Sequence, residues 1–317
     1  MKRLGVVGTM VWDTIYGRGD SEAPVEEWGG IAYALGALEA SLPDEWEIVP
    51  LIKVGSDLAD RANGFLRSLT LRSAATRFLE VAEPNNRVTL RYITGSRRSE
   101  QLSGKIPGWT WSELGPMVGD LDALYLNFIS GFEMDLETAL LMRHGFAGPI
   151  YSDLHSLLLD VTSEGYRELR KLPEVAAWFS CFDVVQLNED EIGIIGSDPM
   201  EVAVTALGAG VRLLIVTLGD RGAAYFTTRP FNFLEATHSP MRQAGPIETA
   251  RIPTEARSDG DPTGCGDVFG AWLVAELIRN TKLQAAISSA NAAAARNMAY
   301  RGATGLHHYL KGEITPV

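Results

Sequence analysis

The most informative segment of this 317-residue chain is 259–270, which reads Asp-Gly-Asp-Pro-Thr-Gly-Cys-Gly-Asp-Val-Phe-Gly. Its glycines stand directly before an apolar run with helical spacing, which predicts a helix over 268–279. Backbone N–H groups in the first turn of a helix have no partner inside the helix, and the helix dipole adds positive charge there. The segment therefore predicts a site for an anion such as phosphate.

Several residues of this segment have types that suit phosphate chemistry. Gly264 and Gly266 lack the side chains that would block the close approach of a phosphate, and Pro262 fixes the turn before them. Asp267 would stay ionised near a helix N-terminus, so it could accept the proton of an alcohol whose oxygen attacks phosphorus. Taken alone, this aspartate could equally be a helix-capping acid.

Outside this segment, short apolar runs rich in β-branched residues alternate with longer segments of helical spacing. That order is typical of an α/β fold with a largely parallel sheet covered by helices. The runs predict strands at 4–7, 49–54, 123–128, 149–152, 184–187, 212–217 and 223–226. The longer segments predict helices at 57–69, 135–143, 199–207, 268–279 and 283–300.

Residues 86–94 differ from these runs because they alternate polar and apolar side chains, in the order Asn-Arg-Val-Thr-Leu-Arg-Tyr-Ile-Thr. Such alternation is typical of a half-exposed antiparallel strand. We expect its partner strand at 12–15 and interpret the pair as part of a lid that excludes water when substrate binds. A surface hairpin with no gating role would show the same alternation.

Composition and charge exclude several classes of partner. The 40 acidic and 28 basic residues give a formal charge of -12, which repels nucleic-acid phosphate and anionic lipid. We therefore expect neither a nucleic-acid nor a membrane partner. The two cysteines, Cys181 and Cys265, are too few for a disulfide framework, and no apolar run reaches the length of a membrane span. These features predict a cytoplasmic protein.

Two common nucleotide-binding motifs are absent from the sequence. Gly104-Lys105 is followed by isoleucine and lacks the earlier glycine of a P-loop. The first predicted strand carries Gly5-Val-Val-Gly8 rather than the Gly-x-Gly-x-x-Gly of a dinucleotide-binding unit. The sequence therefore supports neither of these nucleotide-binding folds.

The 259–270 segment resembles the signature of the PfkB/ribokinase family of carbohydrate and nucleoside kinases, which reads Asp-Thr-x-Gly-Ala-Gly-Asp. Pro262 replaces the usual threonine and Cys265 the usual alanine. The resemblance implies that Asp267 is the catalytic base and that the N–H groups of Gly264, Cys265 and Gly266 form the anion hole. It also implies one ribokinase-like domain over 1–317, a three-layer sandwich with a mostly parallel central sheet and a β lid from about 11–33 and 84–106.

The resemblance also covers the beginning of the chain, where it implies contacts to the substrate. Asp13 would hold substrate hydroxyls, and the pair Gly29 and Gly30 would let the backbone approach the substrate. The family's asparagine four residues after the glycine pair is replaced by Ala34. Asp261 is a further substrate residue by this resemblance, with a monovalent cation bound near it.

A second group of residues resembles the family's nucleotide side. Asn188 and Glu191 match its Asn-x-x-Glu pattern and would orient magnesium through water, because magnesium prefers oxygen ligands and keeps several waters. The resemblance implies that ATP is bound by Asn188, Thr217, Gly219, Gly222 and Asn291. From the residues alone, an acidic helix start is the favoured interpretation of 188–191, and a glycine hairpin at 217–222 is compatible with a nucleotide site.

These observations lead to the hypothesis of a magnesium-dependent kinase that transfers the γ-phosphate of ATP to a hydroxyl of a sugar or sugar derivative. A nucleoside kinase is the alternative acceptor class, supported by the aromatic residues Trp12 and Tyr33 near the expected pocket. A ligand-binding pseudokinase without turnover is the third hypothesis. We expect small-molecule substrate and ATP as partners, and an exposed apolar face on the lid would favour a homodimer.

Overall fold

The computed structural model describes residues 1–16, 24–73, 78–94, 97–228, 231–235, 245–254 and 260–315. The strands within these ranges are, in chain order, β1 (Lys2–Val7), β2 (Met10–Tyr16), β3 (Val25–Gly30), β4 (Trp46–Leu51), β5 (Lys53–Gly55), β6 (Leu79–Val81), β7 (Arg87–Thr94), β8 (Arg97–Ser103), β9 (Ala123–Asn127), β10 (Ile150–Asp153), β11 (Leu159–Val161), β12 (Arg167–Leu169), β13 (Val184–Asn188), β14 (Leu213–Thr217), β15 (Ala223–Thr227) and β16 (Glu248–Ile252).

The helices in the same ranges are α1 (Ile31–Ser41), α2 (Ala59–Arg67), α3 (Trp111–Val118), α4 (Leu136–Gly145), α5 (Val175–Phe179), α6 (Glu189–Ile195), α7 (Pro199–Ala209), α8 (Cys265–Ile278), α9 (Leu283–Asn297) and α10 (Leu306–Lys311). Among the described helices none is long and apolar enough to cross a membrane by itself, although α6 and α7, bent by 79°, meet the length and composition criteria together.

The central sheet has eight strands in the order β16-β15-β14-β13-β10-β9-β1-β4. All strands from β14 to β4 run parallel to their neighbours, whereas β15 and β16 are antiparallel additions at one edge. Parallel strands need long crossovers, and here those crossovers contain the helices. The α/β class with a mostly parallel sheet, predicted from the alternation along the sequence, is confirmed.

Two hydrophobic cores lie on opposite faces of this sheet. In β14, for example, Leu213 and Ile215 face one core while Leu214 and Val216 face the other. The first core includes α1, α2, α8, α9 and α10, and the second includes α3 to α7. The arrangement is therefore the three-layer sandwich that the family resemblance implies, with both faces of the sheet covered.

Several elements differ from the sequence-based prediction, and three of the differences are informative. The strand predicted at 49–54 is β4, which ends at Leu51, followed by the separate strand β5. Helix α1 was not predicted at all, because ten of its eleven residues are buried and it therefore has no polar face to give a helical period. Helix α8 begins at Cys265 rather than at 268, because the small and polar residues of its first turn hide the apolar period.

A second, four-stranded sheet has the order β3-β2-β7-β8 and lies within the two segments predicted for the lid. Strand β7 pairs with β2 in parallel and with β8 antiparallel, so the prediction of an antiparallel pair between 86–94 and 12–15 is wrong in direction. Alternating polarity indicates that one face of a strand is exposed, but it does not indicate whether the strand runs parallel or antiparallel to its neighbour. Gating by this sheet remains a prediction.

Both edges of the small sheet contact the rest of the chain. The N–H of Leu102 in β8 donates to the carbonyl of Gly165, in the hairpin formed by β11 and β12, at 2.8 Å. At the other edge, the carbonyl of Trp28 in β3 accepts from the N–H of Ala303 at 3.0 Å. Because these edge groups are engaged within the chain, a homodimer through the lid would have to use a face of the sheet rather than its edges.

His307 in α10 is an unusual core residue, because its side chain is only 2% exposed. Its two ring nitrogens have no hydrogen-bond partner among the described residues. Burial lowers the pKa of His307 below the ordinary value of 6.5, and the neighbouring His308 and Lys311 act in the same direction, while Glu39 and Glu313 oppose it. The neutral imidazole is therefore the form that the folded protein favours.

We predict that His307 makes the protein less stable in acid. The unfolded chain binds the proton at this residue more readily, so the stabilisation is complete above about pH 6.5 and is lost as the pH falls from there through the lower pKa of the folded protein. His307→Leu should reduce the fall of the urea midpoint between about pH 7 and 5. His144→Gln, which changes an exposed histidine in the last turn of α4, is the control and should keep the wild-type slope; an unchanged slope in His307→Leu would contradict the prediction.

Candidate active site

The polar residues expected to carry function lie at one edge of the central sheet. Four adjacent parallel strands of the central sheet, β9, β10, β13 and β14, end in polar residues. In that order, these residues are Asn127, Asp153, Asn188 and Thr217. The carboxyl ends of parallel strands share one edge, where ligands of α/β proteins usually bind. The first turn of α8 lies over this edge, as its contacts with β9 and β13 show.

The turn before α8 has a shape that requires glycine. Gly264 is the N-cap of α8 with φ 76°, a left-handed conformation. A Cβ at this position would lie 2.3 Å from the ring of Tyr33, so glycine is needed for space as well as for conformation. Tyr33 is 1% exposed and packs below the turn, which makes it a core residue rather than a wall of an open pocket.

The backbone donors of this turn are only partly used. The N–H of Cys265 donates to the carbonyl of Pro262 at 3.1 Å and so closes the turn. Among the described residues, the N–H groups of Gly264 and Gly266 have no hydrogen-bond partner. Gly266 is also exposed, so its donor is open to a ligand. These two groups are the strongest candidates for anion contacts in the predicted hole.

Asp267 is the third residue of α8 and is partly exposed. Its Oδ1 accepts a hydrogen bond of 2.7 Å from Nδ2 of Asn127. Its backbone carbonyl accepts a hydrogen bond of 3.5 Å from the hydroxyl of Tyr125. Tyr125 precedes Asn127 by two residues in β9. Sequence reasoning did not find Asn127, since a single asparagine after an apolar run is also common in turns; its place at the end of a buried strand was the available signal.

A buried polar network continues from the loop toward β10 and β13. Nε2 of Gln186 donates to the carbonyl of Gly266 at 3.2 Å and to Oδ2 of Asp153 at 2.7 Å. Burial, followed by the charge of Glu191, raises the pKa of Asp153 to about 7. The network therefore links the backbone of the anion loop to a second carboxyl group, whose pKa is raised by its burial and by the neighbouring acid.

The predicted metal residues form a helix cap. Asn188 caps α6 by accepting from the N–H of Glu191 at 3.0 Å, and the Glu191 carboxylate accepts from the backbone N–H of Asn188 at 2.7 Å. Glu191 is 1% exposed and also contacts Nδ1 of His155. Burial would lower the pKa of His155, but the Glu191 carboxylate outweighs it and raises that pKa to about 9. His155 was not found from the sequence.

No group of three or more His, Cys, Asp and Glu side chains is placed to hold a metal ion in the part of the chain that the structure describes. A direct protein cage for magnesium is therefore not formed by these residues. Magnesium commonly keeps several waters and is bound mainly by substrate phosphates. Asn188 is half-buried, whereas the Glu191 carboxylate is 1% exposed and already contacts Asn188 and His155, so a contact from either residue to magnesium through water stays a prediction.

The remaining predicted nucleotide residues surround the turn between β14 and β15. The Thr217 hydroxyl donates to the carbonyl of Leu187 at 3.4 Å. Gly219 has φ 60° and Gly222 φ 89°, and a Cβ on Gly222 would lie 2.1 Å from the carbonyl oxygen of Ile252. Nδ2 of Asn291 donates to the same carbonyl at 3.1 Å. The structure thus brings Gly222 and Asn291 together at the end of β16.

The predicted substrate residues fall in two places. Asp13 in β2 is 5% exposed, and its carboxylate lies against Gly29, where a Cβ would come within 1.7 Å of Oδ2. Gly30 has φ 59° and caps α1, and its Cβ position is 2.8 Å from the side chain of Ile129, two residues after Asn127. These contacts place the glycine pair beside the end of β9, on the side of the small sheet.

Asp261 lies at the other end of the loop and is 7% exposed. Its Oδ1 accepts from the N–H of Thr263 at 2.9 Å, and its own N–H donates to the carbonyl of Met298 after α9 at 2.8 Å. Sγ of Cys265 is 3.3 Å from the carbonyl oxygen of Ala294 in α9. Asp261 and the Cys265 side chain therefore fix the loop to α9. Asp259 lies outside the described residues.

One part of the chain matches a known protein family. Residues 158–308 match the family model described as pfkB family carbohydrate kinase. No curated protein matches the chain.

Solved structures with the same fold cover nearly the whole chain. A pyrophosphate-dependent kinase of the ribokinase family, complexed with a pyrophosphate analog and myo-inositol, is 15% identical with a TM-score of 0.70, covering 93% of this chain and 94% of its own. A Burkholderia thailandensis nucleoside kinase in complex with inosine is 16% identical with a TM-score of 0.69, covering 96% and 94%. Ribokinase from Thermotoga maritima is 18% identical with a TM-score of 0.68, covering 98% of each chain.

At these identities the solved structures establish the fold alone, and the family model adds a match over residues 158–308. The ribokinase-like fold implied by the 259–270 segment is thereby confirmed. The chain has the fold of ribokinase, and its residues 158–308 match the model of the pfkB family of carbohydrate kinases.

Proposed function

We propose that this chain is a kinase that transfers the γ-phosphate of ATP to a hydroxyl of a sugar or sugar derivative. The observation that carries the proposal is the position of Asp267 in the first turn of α8, bonded to Asn127 at 2.7 Å. The N–H groups of Gly264 and Gly266, which have no partner among the described residues, lie in the same turn. A base for a hydroxyl and donors for a phosphoryl group thus occur together.

In the proposed reaction, the acceptor hydroxyl gives its proton to Asp267 while its oxygen forms a bond to the γ-phosphorus. The bond from that phosphorus to the bridging oxygen breaks, and ADP leaves with the electron pair. The N–H groups of Gly264 and Gly266 would donate to oxygens of the transferred group, whose negative charge is spread over them. Magnesium bound with the nucleotide supplies positive charge to the phosphates, with Asn188 and Glu191 acting on it through water.

The acceptor is proposed to bind between the small sheet and the end of β9. Asp13 and the glycine pair at 29–30 are its contacts in this proposal, and a monovalent cation near Asp261 is proposed by the same resemblance. The small sheet would act as a lid over the pocket, and a homodimer would form through its face. Cys181 and Cys265 are free thiols, which supports action in a reducing cytoplasm.

A nucleoside is the second candidate acceptor, since one structure with the same fold is a nucleoside kinase in complex with inosine. The aromatic residues that favoured this class in the sequence support it less in the structure. Tyr33 is in the core, and Trp12 packs edge-to-face on Trp28 with ring centroids 5.1 Å apart. A pseudokinase is disfavoured because Asp267 and both loop glycines are retained.

Pyrophosphate is a second candidate donor, because two structures with the same fold are described as pyrophosphate-dependent kinases. ATP would use Thr217, Gly219, Gly222 and Asn291 near its nucleoside part, whereas pyrophosphate would need only the anion loop and magnesium. The two donors therefore differ in their dependence on the turn between β14 and β15.

The test of the proposal is a panel of sugars, polyols and nucleosides, each supplied with magnesium and either ATP or pyrophosphate. Phosphorylated acceptor is measured directly by mass spectrometry, together with the ADP or phosphate released. We expect transfer to at least one acceptor with one donor. Absence of transfer across the panel, from a folded protein that binds neither donor, would overturn the kinase assignment.

We predict that Asp267→Asn lowers turnover by roughly a hundredfold or more, the range expected for loss of a general base. The amide keeps the shape of the side chain, so the fold and donor affinity should stay near wild type. Asp60→Asn is the matched control, because Asp60 is an exposed acid in the first turn of α2. It should lose only the small stabilisation from the helix dipole. An active Asp267→Asn enzyme would remove this residue from the role of base.

Glu191→Gln should raise the magnesium concentration needed for half-maximal turnover several-fold, while acceptor KM changes little. Glutamine can still make the capping contact to the Asn188 N–H, so the start of α6 should survive. Glu189→Gln is the control, since Glu189 stands in the same helical turn but is exposed and pairs with Arg221. Identical magnesium titrations for Glu191→Gln and wild type would reduce Glu191 to a structural cap.

The two loop glycines should respond differently to alanine. Gly264→Ala forces a left-handed residue and places Cβ 2.3 Å from Tyr33, so unfolding free energy should fall by about 1–3 kcal/mol or more. Gly266→Ala has its nearest neighbour at 3.8 Å and should fold normally. It should nevertheless raise the donor KM, because the methyl group narrows the approach to the N–H groups. A normal donor KM for Gly266→Ala would place the phosphate elsewhere.

A further inference from the structure

Asn127 occupies a position that restricts its movement. It ends β9, which pairs with β1 on one side and β10 on the other, and its side chain is 1% exposed. Its neighbour across the sheet in β10 is Asp153. The side chain therefore starts from the middle of the sheet, beneath the first turn of α8, where backbone movement is small.

Nδ2 of the Asn127 amide donates to the carboxylate of Asp267, with 2.7 Å between Nδ2 and Oδ1. An ionised carboxylate only accepts hydrogen bonds, so the nitrogen rather than the oxygen of the amide must face it. A bond of this kind favours the charged form of the acid and holds one of its two oxygens. The other oxygen of Asp267 is then turned in a defined direction.

The second atom of the amide, Oδ1 of Asn127, is buried without a hydrogen-bond partner among the described residues. A buried, unpartnered carbonyl oxygen destabilises the folded state, and an apolar side chain of similar size would avoid this loss. Because the atom is enclosed, it is also not a contact for substrate in this conformation. Folding alone therefore gives little reason for an asparagine here, whereas its contact with Asp267 does.

We propose that Asn127 is a positioning residue that holds Asp267 ionised and oriented toward the acceptor hydroxyl. The inference rests on the proposed function, in which Asp267 is the base. Asn127 acts through Asp267 and does not touch the reacting atoms. Among the described residues, Tyr125, Tyr151 and Asp153 are titratable groups that interact electrostatically with this carboxylate.

The first test is Asn127→Leu, which removes both polar atoms and keeps a similar volume. We expect a melting temperature equal to or above that of wild type and a fall in kcat of about 10- to 100-fold, within the range for impaired general-base catalysis. Donor KM should stay unchanged. The acidic limb of the pH profile of kcat should move upward, because the carboxylate has lost a bond that favours its charged form. Asn127→Asp should move that limb further, since it adds a second carboxyl group.

The decisive control is the same substitution in an Asp267→Asn background. If Asn127 acts through the base, Asn127→Leu should not lower the residual rate of Asp267→Asn any further. Equal loss in both backgrounds, or an unshifted pH profile in Asn127→Leu, would overturn the inference and indicate a general structural effect.

The activities of the two variants separate a failure of the proposed function from a failure of this inference. An active Asp267→Asn enzyme would remove the base itself. An inactive Asp267→Asn enzyme together with a fully active Asn127→Leu enzyme would overturn only the role of Asn127. If Asn127→Leu does not fold, Asn127→Ser, which is smaller and polar, provides the same comparison of pH profiles.

Discussion

The conformation of Gly264 is the constraint on which the candidate site depends. With φ 76° and no side chain between the backbone and Tyr33, the chain turns sharply and α8 starts at the next residue. The start of the helix determines which N–H groups remain without a helical partner and which residue occupies the third helical position. That residue is Asp267, and the register also brings it above Asn127. A shift by one residue would separate the Asp267 carboxylate from Asn127.

The loop is held from two sides, and this explains how a glycine-rich segment keeps one shape. From the sheet, Gln186 binds the carbonyl of Gly266. From α9, Asn297 donates to the carbonyl of Thr263 at 2.9 Å, and Asp261 is bonded within the turn and to Met298. Carbonyl groups and side chains thus carry the structural contacts, while two N–H groups remain for a ligand. Such a division gives preorganised donors without loss of stability when the ligand binds.

The features that could be predicted from the sequence are those whose pattern lies in consecutive residues. The loop and Asp267 were found because all the residues involved are consecutive, and the central strands because they are short apolar runs. Helix α1 was missed because burial on all sides removes the helical period. The direction of β7 against β2 depends on a crossover of many residues and leaves no local pattern. Asn127 and His155 acquire their roles only from neighbours 140 and 36 residues away.

The proposed transfer would need both backbone donors and a cation, and the reason is electrostatic. Three carboxyl groups lie around the end of the sheet, those of Asp153, Glu191 and Asp267. The negative charges of Glu191 and Asp267 both raise the pKa of Asp153. Phosphate oxygens entering this region would be repelled unless positive charge compensates for them. The N–H groups of the loop and the imidazole of His155 supply part of it, and a hydrated magnesium ion would supply the rest. Acidic side chains around a phosphate site are therefore consistent with metal-dependent transfer. These carboxylates repel a phosphate group that carries no metal, but they attract a complex of phosphate with a metal ion.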